Sequence, residues 1–112
     1  MGVRLTSAFK VQALLRRVHD AGGSAMVLAK GDAATGAILV LALERGAEPV
    51  FLERGPGSER SDELLRVGPT SCESQELDAY WQRRRRNDPD LWVIELSVAG
   101  AQRFAAETIA VD

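Results

Sequence analysis

Ala37-Ile38-Leu39-Val40-Leu41-Ala42-Leu43 is apolar at every position and contains neither proline nor glycine. A strand must alternate only when one of its faces meets water, so this run reads as a strand covered on both faces. A buried helix is the rival reading. The run is short for one, and Gly36 and Gly46 close its ends like turns. Such a strand needs neighbours in a sheet and packing across each face, and the flanking sequence offers both.

Upstream, Val11, Leu14, Leu15 and Val18 fall at i, i+3, i+4 and i+7, which predicts a helix over residues 7–21. Thr6 and Ser7 are candidate N-caps, and Gly22-Gly23 supplies a left-handed stop. Residues 24–30 read as a first strand. The loop Gly31-Asp32-Ala33-Ala34-Thr35-Gly36 then joins it to the central run, which predicts an antiparallel hairpin. Gly46-Ala47-Glu48-Pro49 makes the next turn, and Val50-Phe51-Leu52 a third strand. Residues 55–62 are glycine, proline, serine and charge, the composition of a mobile loop, with a short edge strand expected over 63–67.

A second helix is expected to follow Pro69 and run to about Arg86. Thr70 and Glu73 have capping-box spacing, and Ser74 is a competing cap. Asn87-Asp88-Pro89-Asp90 ends it, because proline disfavours helical geometry at the residue before it. Leu91-Trp92-Val93-Ile94-Glu95-Leu96 is the last clear strand, while residues 102–111 fit a short helix, an edge strand or a frayed tail. The expectation is one α+β domain over residues 1–112: a mainly antiparallel sheet of four to five strands with two helices, in the order α-β-β-β-(β)-α-β. With both helices on one face, the other face of the central strand would be uncovered. An apolar sheet face left bare usually marks a partner, so a homodimer or another protein is expected there.

Composition bounds the function. The 112 residues are 46% hydrophobic but only 5% aromatic, so the core is aliphatic. Fourteen basic against sixteen acidic side chains leave a net charge of −2, and nothing global pulls the chain towards nucleic acid or an anionic membrane. Cys72 is the single cysteine, which excludes an internal disulfide and fits a reducing cytoplasm. No apolar stretch approaches the roughly 20 residues that span a bilayer, and no signal peptide opens the chain. Met1-Gly2 with Thr6 matches a short lipidation pattern that coincidence explains better.

Catalytic chemistry is hard to assemble. His19, the single histidine, sits at the end of the first helix. Cys72 lies beside the start of the second, where a thiol can be activated, yet nothing places a base next to it. No ligand set for a metal is visible, and no cofactor is expected; Asp88 and Asp90 flank Pro89 at a helix stop, where aspartate is common. Gly31 to Gly36 has the first half of a phosphate-loop spacing but lacks the Lys-Ser/Thr, and it joins strand to strand. Lys30 and Asp32 remain as a candidate polar site in that loop.

Arg83-Arg84-Arg85-Arg86 is the loudest local feature. Successive helical positions point about 100° apart, so the four cannot form one flat basic patch. Leu77, Tyr80, Trp81 and Arg84 follow the i, i+3, i+4, i+7 rule, which puts Arg84 on the apolar stripe. There it must snorkel, pair with a carboxylate such as Asp88, or bind an anion. Together with Tyr80 and Trp81 the run is the candidate anion or nucleic-acid site.

Met26-Val27-Leu28-Ala29-Lys30-Gly31-Asp32, Gly36 before the long strand, Asp78-Ala79-Tyr80, and Asp88-Pro89-Asp90-Leu91-Trp92-Val93-Ile94-Glu95 carry a resemblance. Over roughly residues 11–96 the chain resembles a family of small bacterial proteins catalogued as a domain of unknown function. The resemblance implies a bacterial, cytoplasmic setting and transfers no catalytic residue. The leading expectation is a non-catalytic binding or protein-interaction module. A weak nucleic-acid or phosphate binder is second, and an enzyme using Cys72 or Asp32 is last.

Overall fold

The computed structural model describes residues 5–55 and 64–110. Helix α1 (Ser7–Asp20) starts where Thr6, extended, accepts a hydrogen bond on its hydroxyl from the Phe9 N–H at 3.1 Å. Its face of Val11, Leu14 and Val18 is buried. At the other end the Gly22 N–H donates to the His19 carbonyl and the Gly23 N–H to the Val18 carbonyl, with Gly22 at φ +84°. This is the Schellman stop that Gly22-Gly23 announces, and a Cβ at Gly22 would be strained there.

Strands β1 (Ser24–Ala29), β2 (Ile38–Leu43), β3 (Val50–Glu53) and β4 (Leu65–Val67) follow, then α2 (Ser74–Asn87), β5 (Trp92–Ser97) and α3 (Ala101–Ile109). The fold is α+β, with a five-stranded sheet in the order β1-β5-β2-β3-β4. Only β2 and β5 are parallel. The expected β1–β2 hairpin is corrected: β5 lies between them. β1 still runs antiparallel to β2, one strand removed. The reason lies in the competition for the centre of the sheet. β5 brings Val93, Ile94 and Leu96, all fully buried, whereas β1 has no residue buried to that degree. A parallel pair covered on both faces takes the more apolar strand.

The expected uncovered face is also corrected. Ile38, Val40 and Ala42 join Val50, Leu52, Ile94 and Leu96 under α1 and α3. Leu39 and Leu41 join Phe51, Leu91 and Val93 under α2, through Leu77, Tyr80 and Trp81. The central strand therefore has no bare face for a homodimer or another protein to seat on. The helix that sequence periodicity left undecided is α3, whose Ala101, Ala105 and Ile109 point inward. Its docking on α1 is reinforced by Arg17, which donates to Thr108 Oγ1 at 2.9 Å and pairs with Glu107 at 2.7 Å. The two-helix count was short by this element.

The start of α2 differs in detail. Its N-cap is Glu73, with no side-chain cap bond; Ser71 Oγ accepts from the Glu73 N–H instead. Neither Thr70 nor Ser74 is the cap. The lipidation pattern at Met1-Gly2, the body of the loop over 56–62 and the start of the fourth strand at Glu63 lie outside the described residues.

Candidate functional site

Three places carry the residues singled out above. The first is a clasp at the end of the sheet where β2 and β5 begin. Asp32 Oδ2 accepts from the N–H groups of Ala34 and Thr35, at 3.2 and 2.8 Å, and from the Thr35 hydroxyl at 3.2 Å. These bonds, the Thr35 N–H foremost, hold the exposed carboxylate below its usual range; a slight loss of water opposes them. The Asp32 backbone is equally committed. Its N–H donates to the Asp90 carbonyl at 3.0 Å, and its carbonyl accepts from Trp92 Nε1 at 2.7 Å.

The Lys-Gly-Asp loop and the Asp-Pro-Asp-Leu-Trp run, remote in sequence, thus meet in space. Both glycines of the loop are required by this approach, because a Cβ on Gly31 or on Gly36 would collide with the Asp90 carbonyl. The same loop closes α1: Ala34 and Ala33 carbonyls accept from the Ser7 and Ala8 N–H groups, and Ser7 Oγ donates to the Gly36 carbonyl. An anion would find these helix N–H groups already taken. Lys30 is exposed and joins none of these bonds. Asp32 is a scaffold residue in this geometry, with its acceptor oxygen turned to its own loop.

The second place is the arginine run. Arg84 lies on the inner face of α2, as its spacing requires, but its partner is Glu53 on β3. Two guanidinium nitrogens reach the two carboxylate oxygens at 3.0 and 2.7 Å, and Nη1 also donates to the Tyr80 hydroxyl at 2.9 Å. Pairing with Asp88 is corrected. Asp88 Oδ1 instead accepts from the Asp90 N–H, in a turn that Pro89 shapes. The Glu53 bond chiefly, aided by Tyr80 and opposed by burial, raises the Arg84 pKa further above its already high value. Arg85 donates to the Pro89 and Leu91 carbonyls and so fastens α2 to the start of β5. Arg83 lies over the Tyr80 ring at 5.8 Å, and Arg86 is exposed. Trp81 Nε1 donates to Asp78 on its own helix. The six residues are neighbours on one helix, but Arg84 and Arg85 are spent on the fold.

The third place was missed by sequence reasoning. Among the described residues β1 is an edge of the sheet, paired only with β5. Its six residues, Ser-Ala-Met-Val-Leu-Ala, include no charge and no proline, the usual protections of an edge. Met26 is 57% exposed and Val27 38% exposed, one on each face of the sheet. Met26 continues the row Phe51, Leu41, Glu95 beyond the reach of α2. The signal lay in the strand's lack of charge, but pairing β1 with β2 hid the fact that it is an edge. The opposite edge, β4, is three residues long and bears the exposed Arg66. Cys72 and His19 are both exposed, at ends of different helices. Among the described residues no group of three or more His, Cys, Asp or Glu is placed to hold a metal, and no helix is long and apolar enough to cross a membrane.

Comparison with known proteins agrees with the fold. A solution structure of a protein from A. tumefaciens is 32% identical, covers 98% of this chain and 98% of its own, and superposes with a TM-score of 0.72. A crystal structure of a DUF1491 family protein from Caulobacter crescentus CB15 is 32% identical over 96% of this chain and 99% of its own, with a TM-score of 0.75. An NMR structure of a DUF1491 family protein from the same organism is 34% identical over 92% and 94%, with a TM-score of 0.74. No curated protein matches the chain. The family model described as "Protein of unknown function (DUF1491)" matches residues 5–106, and the chain belongs to that family.

Proposed function

We propose that this protein is a small non-catalytic interaction module that receives an extended chain on the free edge of β1. The observation that carries the reading is the uncharged edge: a strand with Met26 and Val27 exposed ahead of its one irregularity, beside a sheet whose centre is covered on both faces. An edge of this kind offers unpaired backbone N–H and C=O groups for strand addition, and side chains on alternate faces for specificity. The arginine run gives less support to phosphate binding, since Arg84 and Arg85 already hold protein acceptors. We place the module in the bacterial cytoplasm, a reading supported by the bacterial relatives and the unpaired Cys72.

Selection of displayed random peptides on the immobilised full chain tests this. Enriched sequences should alternate apolar residues and shift the amide resonances of Ser24–Ala29. Enrichment of acidic peptides that shift Arg83 and Arg86 instead, or no enrichment on a sample held monomeric by dilution, would refute the edge as the docking surface.

A further inference from the structure

We infer that the strand received by β1 is the β1 of a second copy of this chain, paired antiparallel about a two-fold axis through Met26. The inference rests on β1 being the docking edge and names its occupant. Residues directly opposite in an antiparallel pair lie on the same face of the sheet, and faces alternate along the strand. A two-fold axis normal to the sheet must therefore pass through a residue rather than between two. The regular ladder of β1 runs from Ser24 to Val27, and an axis at Met26 pairs both of its exposed apolar residues within that ladder, whereas one at Ala25 would leave Val27 opposite the partner's Gly23. With the axis there, Met26 faces the partner's Met26, and Ala25 faces the partner's Val27. Both exposed apolar side chains are covered at once, one on each face.

Charge does not oppose this register. The ladder itself has no charge to repel its copy. Glu95 lies beside Met26 on β5. The two copies of Glu95 would be three strand spacings apart, about 14 Å, beyond the roughly 8 Å screening length of physiological salt. The other edge does not compete. β4 has three residues with Arg66 exposed, and a β1-to-β4 contact is head-to-tail, so it would build a ring or a filament rather than a two-fold dimer.

Sedimentation equilibrium of the full chain at about 10–200 μM should give twice the chain mass. Met26→Lys places two ammonium groups face to face across the axis, and dissociation should rise at least tenfold. Within its own chain the new side chain sits beside Glu95, so the monomer keeps its circular dichroism. A second readout does not depend on that variant. In a Cys72→Ser background, Met26→Cys should cross-link under mild oxidation, because opposite residues in an antiparallel pair are about 4.5–5.5 Å apart at Cα, within disulfide range. Leu65→Cys on the far edge should not cross-link. A monomer at about 200 μM overturns the second copy as occupant, while peptide binding to that monomer would leave β1 as a strand-accepting edge. A dimer indifferent to Met26→Lys and without the Met26→Cys cross-link overturns the inference too, since it would place the interface elsewhere.

Discussion

Arg84→Ala should destabilise the protein by about 2 kcal/mol, far more than an arginine on a helix surface ordinarily would. The magnitude follows from how α2 is attached. Leu77 is the one residue of α2 that is fully buried, and Tyr80 and Trp81 are half-buried against the sheet, with Tyr80 set 4.8 Å from the Phe51 ring. The forked Arg84–Glu53 pair is the polar bond that joins this helix to β3, and its side chains are 26% and 20% exposed. A fully exposed pair contributes about 0.2–1 kcal/mol, whereas breaking a fully buried one costs about 3–5 kcal/mol. Partial exposure sets the expectation between these limits, and solvent screening keeps it nearer the lower one. Removing the guanidinium also strips the Tyr80 hydroxyl of its donor. Urea unfolding at constant m measures the loss, and a cycle with Glu53→Gln should give a coupling of about 1 kcal/mol. Arg86→Ala, on the exposed side, should stay within about 0.5 kcal/mol of wild type. An Arg84→Ala protein as stable as wild type, or a coupling near zero, would refute the idea that α2 is fastened through this pair.

Gly31→Ala should cost about 2–3 kcal/mol in the same assay, because the new methyl meets the Asp90 backbone, which cannot swing aside. Gly22→Ala, which enters open space, should cost only the roughly 1–2 kcal/mol of its left-handed backbone. Asp32 sets a pH dependence: its carboxylate is held below the ordinary 3.8, so the stability it contributes is complete above that value and lost as pH falls through the lower folded-state value. The difference in urea midpoint between wild type and Asp32→Ala should accordingly be flat from pH 7 to about 5 and shrink below about pH 4; a difference that grows in acid would contradict the assignment. Cys72, exposed just ahead of α2, should react with iodoacetamide no faster than glutathione does at pH 7, and labelling many times faster would revive a nucleophilic role.

The elements were legible where one local cause sufficed. Thr6 and Gly22-Gly23 bracket α1, and the apolar stripe between them has a single period, so cap, stripe and stop agree. The unbroken apolar run of β2 correctly announced a strand covered on both faces. Its pairing was not legible in the same way. A short loop of small residues predicts a hairpin only when nothing else claims the loop, and here α1 and Asp90 both claim it. Those claims are contacts between residues far apart in sequence, and no local periodicity records them. α3 escaped for a related reason: three small or aliphatic residues four apart, Ala101, Ala105 and Ile109, fit a helix but are too few to exclude a strand or a tail.

The candidate residues divide along the same line. Arg84 could be placed on the inner face of α2 from spacing alone, because the helical period fixes it. That Glu53 rather than Asp88 answers it depends on β3 lying beneath α2, which is tertiary information. Asp32, a candidate polar-site residue by sequence, is bonded back to its own loop, as aspartate two or three residues before small turn residues commonly is. The β1 edge reverses the case. Met26 and Val27 read as ordinary interior residues of a strand, and only the insertion of β5 on one side, with no strand among the described residues beyond them on the other, turns them into an exposed surface. The proposed docking edge thus lies where the sheet ends, away from the clustered charges of α2. Arg84 with Glu53, Arg17 with Glu107, and Asp32 hold α2, α3 and the α1 loop in place, whereas the β1 edge presents exposed apolar side chains beside its outer backbone groups.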